Sequence, residues 1–295
     1  MLDAMKVVLT TPTGNIGRNL VDLLLQGEVR PTVIVRDPAR LAEHVRDRVD
    51  VVAGDQSDPA VLDQALEGAD VLFWLSPPDY ASPDPVQNYA QFGRAASEAV
   101  RRNGVKRVVH LSSYGAESSP GFGLIDGLAL NEAALNQTDA HVRHLRAGFF
   151  YENFLMQLPA LQSGQYFSSS DPDSPLAMVA VQDIASLASS LLLNANWTGK
   201  AAIYVQSGPL ITPERAIAAL ASGTGRSLAY VQVPQEAVVE GFLQTGASPE
   251  VARLYGEMLE RFKSFGFDDL GEGRIHVGPT TLEAWSFERL RPLLA

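Results

Sequence analysis

The chain has 295 residues, of which 46% are hydrophobic and 19% charged, a composition typical of a soluble globular protein that buries a sizeable core. Its 23 lysines and arginines against 34 aspartates and glutamates give a net charge of −11, so we expect no binding to nucleic acid or to an anionic membrane. The absence of cysteine excludes disulfides, thiolate catalysis and cysteine-ligated zinc, and no histidine spacing predicts a metal site. With neither an apolar membrane-spanning run nor a signal sequence, we expect a cytoplasmic protein.

The first stretch with chemical content is the segment from Lys6 to Leu25. Lys6 to Thr10 has the apolar, β-branched pattern of a buried strand, and apolar residues recur at helical spacing from Ile16 onward. Gly14 and Gly17 match the last two glycines of the dinucleotide-binding fingerprint, whereas Thr11 stands where its first glycine would be. The pattern predicts a strand, a turn and a helix whose N-terminus binds phosphate. The alternative is a structural turn without a ligand.

The next predicted strand, Thr32–Val35, is followed directly by Arg36 and Asp37. Arg36 lies 19 residues after Gly17, close to the spacing at which such a unit contacts the adenosine ribose. An arginine at this place pairs with a 2′-phosphate, whereas an acid accepts from a ribose hydroxyl. We therefore predict NADP(H) as the cofactor, with NAD(H) possible because of Asp37.

Short apolar strands alternate with amphipathic helices as far as Ala147. The predicted strands are Lys6–Thr10, Thr32–Val35, Val49–Ala53, Val71–Leu75, Arg107–Leu111 and His141–Arg146, with helices near 15–26, 38–45, 59–67, 85–103 and 123–137. This alternation predicts an α/β fold with a doubly wound parallel sheet of the Rossmann type.

Ligands of such sheets bind beyond the carboxyl ends of the strands, so the loops after the strands are the candidate site. We expect Asp55 and Gln56 to contact adenine, Leu75, Ser76 and Pro77 to pass near the ribose or nicotinamide, Ser112 and Tyr114 to face the substrate, and Phe149, Phe150 and Asn153 to lie against the nicotinamide ring. Capping and turn formation are the plainer alternatives for several of these residues.

The pattern is looser in the second half of the chain. We predict an exposed loop over Gln162–Pro175, strands at Met178–Val181, Ile203–Val205 and Leu228–Val233, and helices at Gln182–Leu193, 235–244 and 248–263, with one opening at Thr212-Pro213-Glu214. Residues 1–150, with 176–200 returning to them, are predicted to form the NAD(P)-binding domain, and 151–175 with 201–295 a smaller substrate-binding domain of mixed structure. The aromatic stretch of Phe262, Phe265 and Phe267 either caps a pocket or belongs to the core.

Five motifs, TPTGNIG, VRDP, GDQSD, LSSYGA and LRAGFFYENF, resemble the NmrA-like branch of the atypical short-chain dehydrogenase/reductases. The resemblance extends from Lys6 to about Asp183 and implies a cofactor-binding Rossmann protein. Members are reductases of quinones, ketones or imines, or redox-sensing regulators. The resemblance implies that Thr13, Gly14, Asn15, Ile16 and Gly17 hold the pyrophosphate beside Thr10 and Thr11, that Arg36 holds the 2′-phosphate, and that Asp55 and Gln56 flank the adenine.

The sequence departs from the active short-chain reductases in the helix after the fifth strand. Those enzymes carry Tyr-x-x-x-Lys there, in which the tyrosine donates a proton to the substrate oxygen. The equivalent positions are Leu128 and Glu132 in this chain. Leucine cannot donate a proton, and we expect a carboxylate to oppose a developing oxyanion, so the standard mechanism is absent.

Two functions remain open. The first is an NADPH-dependent reductase of a quinone, ketone or other conjugated or aromatic carbonyl acceptor, in which Tyr114 donates the proton or merely lines the pocket and Ser112 orients the carbonyl. The second is a cofactor-binding redox sensor that acts through a partner protein. A third reading, in which Thr11 blocks the turn and no cofactor binds, has less support.

Overall fold

The structure, a computed structural model, describes residues 5–194, 196–270 and 274–294. The strands are β1 Val7–Leu9, β2 Thr32–Val35, β3 Asp50–Ala53, β4 Val71–Trp74, β5 Arg107–Ser113, β6 His141–Ala147, β7 Phe149–Phe150, β8 Gln165–Ser168, β9 Met178–Val179, β10 Lys200–Ser207, β11 Ala229–Gln232 and β12 Ile275–Gly278. The α-helices are α1 Asn15–Gln26, α2 Glu43–Arg46, α3 Pro59–Leu66, α4 Pro85–Asn103, α5 Ile125–Asn136, α6 Leu158–Gln162, α7 Val181–Leu193, α8 Pro213–Thr224, α9 Gln235–Gln244, α10 Pro249–Lys263 and α11 Leu282–Trp285.

The central sheet has eight strands in the order β12-β10-β6-β5-β4-β1-β2-β3. Every neighbouring pair is parallel, so the carboxyl ends of all eight strands lie at one edge. The order reverses beside β1, because β2 and β4 flank it. This reversal opens the crevice in which α/β sheets bind ligands.

Helices cover both faces of the sheet, as the near-continuous apolar strands require. Val7, Leu9 and Val109 pack in a buried cluster with α1 and α7. The alternate residues of the same strands, such as Val8 and Val108, pack in a second cluster with α3, α4 and α5. The predicted doubly wound parallel sheet is confirmed.

Several helix boundaries follow from local sequence chemistry. α4 begins after Asp84, whose carboxylate accepts from the Gln87 N–H at 3.0 Å, and ends at Gly104, which adopts a left-handed conformation. The predicted start of α8 is also confirmed, because the Thr212 hydroxyl accepts from the Arg215 N–H at 3.3 Å. These capping residues lie within a few positions of each helix end, so the boundaries could be predicted from the local sequence.

The second half of the chain contributes two strands to the central sheet. β10 pairs with β6, and β12 pairs with β10. Both strands belong to the predicted 201–295 segment, except that β10 begins one residue before it. The predicted exposed loop over Gln162–Pro175 is wrong in part, because β8 lies within it and pairs with β11. The division into two domains stays a prediction, and residues 1–4, 195, 271–273 and 295 of the predicted ranges lie outside the described residues.

A third apolar cluster joins the elements that follow β6. Tyr151, Phe154 and Leu161 pack with α8 and with Trp285 of α11. Within residues 5–194, 196–270 and 274–294, no helix is both long enough and apolar enough to cross a membrane.

Candidate cofactor and substrate site

The turn between β1 and α1 leaves a helix N-terminus free for a ligand. Gly14 is the N-cap residue of α1 and offers no side chain to the first-turn N–H groups, which have no acceptor within the helix. No acidic residue lies in this first turn. A Cβ on Gly17 would lie 2.0 Å from the Thr11 carbonyl oxygen, so only glycine allows the helix to approach the turn this closely. The geometry fits a bound phosphate.

Thr11 adopts the conformation that the missing glycine would have taken. Its φ is +51°, in the left-handed region that costs a residue with a side chain about 1–2 kcal/mol. The turn nevertheless closes, since the Gly14 N–H donates to the Thr11 carbonyl at 3.1 Å. The Thr11 hydroxyl is buried and has no hydrogen-bond partner among the described residues. The substitution is therefore accommodated as backbone strain, and the turn keeps its shape.

The ends of β1, β3 and β4 are tied together at the carbonyl of Leu75. The Thr10 hydroxyl accepts from the Leu75 N–H at 2.9 Å and lies 3.3 Å from the Leu75 carbonyl oxygen. The Gln56 amide donates to the same carbonyl at 2.8 Å. Thr10 and Gln56 are both buried, so their observed role is to fix the loops that surround the crevice.

The charged side chains beside this crevice differ in whether they are already hydrogen-bonded within the protein or are free to bind a ligand. Arg36 is exposed at the end of β2, and its guanidinium has no partner in the part of the chain that the structure describes. Asp37 accepts from the Ala39 N–H at 3.0 Å, where it caps a short 3-10 turn. Asp55 accepts from the backbone N–H and the hydroxyl of Ser57 at 2.8 and 2.7 Å. A free arginine beside an engaged aspartate favours a phosphate over a ribose hydroxyl.

The loop after β4 is fixed to α5 through Ser76. The Ser76 hydroxyl accepts from the Asn131 amide at 2.8 Å and from the Trp74 indole at 3.2 Å. Both Ser76 and Asn131 are buried, and Pro77 stiffens the next residue of the loop. Asn131 did not figure in the sequence predictions, because nothing in its local pattern links it to a serine 55 residues earlier.

The position of the missing lysine is occupied by a carboxylate whose negative charge is compensated by an arginine. Glu132 is buried and forms two hydrogen bonds with Arg146, from Nε at 3.0 Å and from Nη2 at 2.7 Å. Although burial alone would raise the pKa of Glu132, the hydrogen bonds and charge of Arg146, together with His144 and Ser112, lower it. The Ser112 hydroxyl donates to Glu132 at 2.6 Å. The expected repulsion of an oxyanion by Glu132 is thus offset by Arg146, which the sequence predictions missed.

Tyr114 lies in an aromatic core. Its side chain is 1% exposed, its hydroxyl donates to Gln206 Oε1 at 2.9 Å, and burial raises its pKa. Its ring packs 4.9 Å from that of Tyr204 and 5.6 Å from that of Phe267. Phe262 and Phe265 belong to the same packing, which is the core alternative for that stretch. In this conformation both predicted catalytic hydroxyls, of Ser112 and Tyr114, are engaged with protein groups.

The aromatic turn after β6 is held from two sides. β7 pairs with β9, and the Phe149 ring lies 5.5 Å from that of Phe154. Glu152 accepts from the Val181 N–H at 3.2 Å and from the Trp285 indole at 3.0 Å. Phe149, Phe150 and Asn153 are each partly exposed. They follow β6 at the carboxyl edge of the sheet.

A match to the NmrA-like family model covers residues 3–284. The chain belongs to the NmrA-like family. This confirms the resemblance in the sequence motifs and extends it to nearly the whole chain.

Three comparisons show the kind of relative found in this family. The chain is 30% identical, over 86% of each sequence, to a (4-alkanoyl-5-oxo-2,5-dihydrofuran-3-yl)methyl phosphate reductase of Streptomyces griseus. It is 28% identical, over 83% of each sequence, to an NAD(P)H azoreductase of Xenophilus azovorans. The crystal structure of an NADPH-dependent quinone oxidoreductase of Escherichia coli complexed with NADPH matches with a TM-score of 0.78 at 24% identity, over 96% of this chain and 99% of that one.

Proposed function

We propose that the protein is an NADP(H)-dependent reductase that transfers hydride to a quinone, ketone or similar conjugated acceptor. The observation that carries this proposal is the uncapped N-terminus of α1 facing the sheet crevice, with the exposed Arg36 at the end of the neighbouring strand β2. The relatives reported above, named for the reduction of azo compounds, a furanone phosphate and quinones, support the same chemistry.

The residues of the crevice fit a dinucleotide. Thr13 to Gly17 would hold the pyrophosphate, with Thr10 and Thr11 shaping the turn, and Arg36 would bind the 2′-phosphate. Asp55 and Gln56 would border the adenine, and Leu75, Ser76, Pro77, Phe149, Phe150 and Asn153 the nicotinamide end. Bound NADPH supplies the hydride. NAD(H) remains the alternative cofactor, because Asp37 stands beside Arg36.

The lack of a strong proton donor in the site limits the kinds of acceptor that the protein could reduce. Leu128 has no acidic proton to donate. Glu132 is hydrogen-bonded to Arg146 and Ser112, and its lowered pKa keeps it ionised, so it does not supply a proton either. An acceptor whose reduced oxygen is a stabilised anion, as in a quinone, needs little acid assistance in the transition state. We propose that residues 151–175 and 201–295, apart from the two strands that join the central sheet, select the substrate. Tyr114 and Ser112 are the hydroxyls to test first.

The test is NADPH oxidation, followed at 340 nm, with a panel of quinones, ketones and azo compounds. We expect turnover with at least one quinone, dependent on enzyme concentration. Tight NADPH binding without turnover on any acceptor would favour the second candidate, a redox sensor acting through a partner protein, which the missing Tyr/Lys pair motivates. Failure to bind any nicotinamide nucleotide would refute both.

A further inference from the structure

A cavity of about 630 Å³ lies beside the last two strands at one end of the central sheet. Its lining comes from α5 and β6, from α7 on the opposite face of the sheet, and from β10 and the start of β12. The volume lies within the range of about 300–1,000 Å³ that is usual for small-molecule sites. The cavity is therefore large enough to hold a metabolite.

The cavity forms because β12 is shorter than β10. β10 begins at Lys200 and pairs with β6 from that residue onward, whereas its pairing with β12 begins only at Tyr204, opposite Ile275. In the part of the chain that the structure describes, residues 200–203 thus have a neighbouring strand on one side only. Their other side opens into the cavity, which these four residues line.

The position of the cavity separates it from the cofactor crevice. The crevice lies beside β1 at the carboxyl edge of the sheet, and β4 and β5 stand between β1 and β6. Lys200 is the first residue of β10, and Arg274 directly precedes β12. Both residues therefore lie toward the amino edge of a parallel sheet, and a ligand bound between them would leave the cofactor crevice free.

Lys200 and Arg274 face this cavity without a carboxylate partner. The Lys200 ammonium donates to the carbonyl oxygens of Asn136 and Thr138, at 2.6 Å each. These acceptors are neutral, so the positive charge is not compensated and a third N–H is left to donate. Arg274 is exposed and forms no ion pair within residues 5–194, 196–270 and 274–294.

The other polar groups of the lining do not oppose an anion. Glu132 contributes a carboxylate, but Arg146 lies 2.7 Å from it and compensates its charge. Asn136 and His276 add an amide and an imidazole, which supply neutral N–H donors. Two uncompensated cations with neutral donors beside them match a ligand that carries several anionic oxygens. Such a concentration of positive charge contrasts with the net charge of −11 of the whole chain.

We propose that this cavity binds a small polyanion, either a phosphate ester or a polycarboxylate, whose anionic groups pair with Lys200 and Arg274. Because the two cations belong to different strands, a ligand with two anionic groups engages both. The inference goes beyond the proposed reductase function and does not depend on it, since neither residue takes part in the cofactor crevice.

The test is a calorimetric titration of the full chain with inorganic phosphate and, separately, with citrate. Arg274→Gln should weaken the Kd for the tighter anion about 10-fold, as for loss of a hydrogen bond to a charged group, and Lys200→Gln should weaken it as well. Arg101→Gln is the matched control, because it removes the same charge from an exposed arginine at the end of α4. Its Kd should stay within about 2-fold of the wild-type value.

Lys200 also neutralises the last carbonyls of α5, so Lys200→Gln could lower stability without any effect on a ligand. Arg274→Gln keeps the proposal testable, because the exposed Arg274 makes no ion pair that the variant would break among the described residues. If Arg274→Gln and the wild type bind both anions equally, the proposal is wrong. Failure of the wild type to bind either anion also overturns it.

The cofactor crevice is itself expected to attract phosphate, so Arg36→Ala is titrated in parallel. Anion binding that Arg36→Ala retains and Arg274→Gln weakens supports the cavity. The reverse pattern assigns the anion to the crevice and contradicts the proposal. Tighter binding of phosphate than of citrate identifies a phosphate ester as the ligand class, and the opposite order identifies a polycarboxylate. Oxidation of NADPH is measured separately, so failure of the reductase function leaves this result intact.

Discussion

Acidification below pH 6.5 should destabilise the protein through a buried pair of histidines. His110 on β5 and His144 on β6 stand opposite each other in register, and their Nδ1 atoms are 3.0 Å apart. His144 Nε2 lies 3.0 Å from Asn136 Oδ1; because an amide oxygen only accepts, Nε2 carries the proton. His144 Nδ1 is then the acceptor and His110 Nδ1 the donor, so both rings are neutral.

The direction and size of the effect follow from their pKa values. Burial, with the neighbouring His144, lowers the pKa of His110 to about 3, and burial lowers that of His144 to about 4. Glu132 opposes both shifts, whereas Arg143 and Arg146 add to the lowering for His144. The unfolded chain, with histidine pKa values near 6.5, binds more protons as the pH falls, so stability is lost below pH 6.5. Between pH 7 and pH 5 each histidine should cost about 2 kcal/mol of unfolding free energy, or about 4 kcal/mol for the pair.

Urea unfolding, followed by tryptophan fluorescence at pH 7 and pH 5, measures this loss. His110→Asn keeps an amide donor near His144 and should reduce the pH-dependent loss by about 2 kcal/mol. His44→Gln is the comparison variant, since it removes an exposed surface histidine that contacts neither ring of the buried pair. An equal loss in wild type and His110→Asn would refute the assignment of the buried neutral pair.

Two further predictions concern single side chains. Tyr114→Phe removes the hydroxyl that donates to Gln206 Oε1 at 2.9 Å. We therefore expect the free energy of unfolding in urea to fall by about 1–3 kcal/mol and kcat to fall less than about 3-fold. A large loss of kcat at unchanged stability would instead identify Tyr114 as the proton donor. Thr11→Gly relieves a positive φ of 51° at some cost in unfolded-chain entropy, so we expect stability unchanged or higher by up to about 1 kcal/mol and NADPH binding no weaker; clear destabilisation would show that the threonine side chain itself supports the turn.

The sequence contained most of the information about the sheet. Runs such as 7–9 and 71–74 are apolar and bounded by turn residues, and both faces of a parallel sheet are buried, so pattern and burial agree. α1 and α4 were predicted at their observed bounds because glycine, aspartate and proline mark their ends. β8 was not predicted, since its four residues, QYFS, are stabilised by pairing with β11 some sixty residues later.

The site was predictable only where it depends on local sequence. Gly14, Gly17 and Arg36 have positions that follow from spacing along one strand–helix unit. The pairing of Glu132 with Arg146 depends instead on how α5 lies across β6. The hydrogen bond between Ser76 and Asn131 depends on how α5 lies beside the loop after β4.

The measurement that tests the cofactor assignment most directly is a calorimetric titration of the wild type, Arg36→Ala and Arg101→Ala with NADPH, NADP⁺, NADH and NAD⁺. Arg101 is an exposed arginine at the far end of α4 and serves as the matched control. We predict that wild type and Arg101→Ala bind NADPH more tightly than NADH, and that Arg36→Ala loses about 10- to 100-fold in NADPH affinity while its NADH affinity changes less than about 3-fold. Equal NADPH affinity in all three proteins, or no binding of any nucleotide to the wild type, would contradict the assignment.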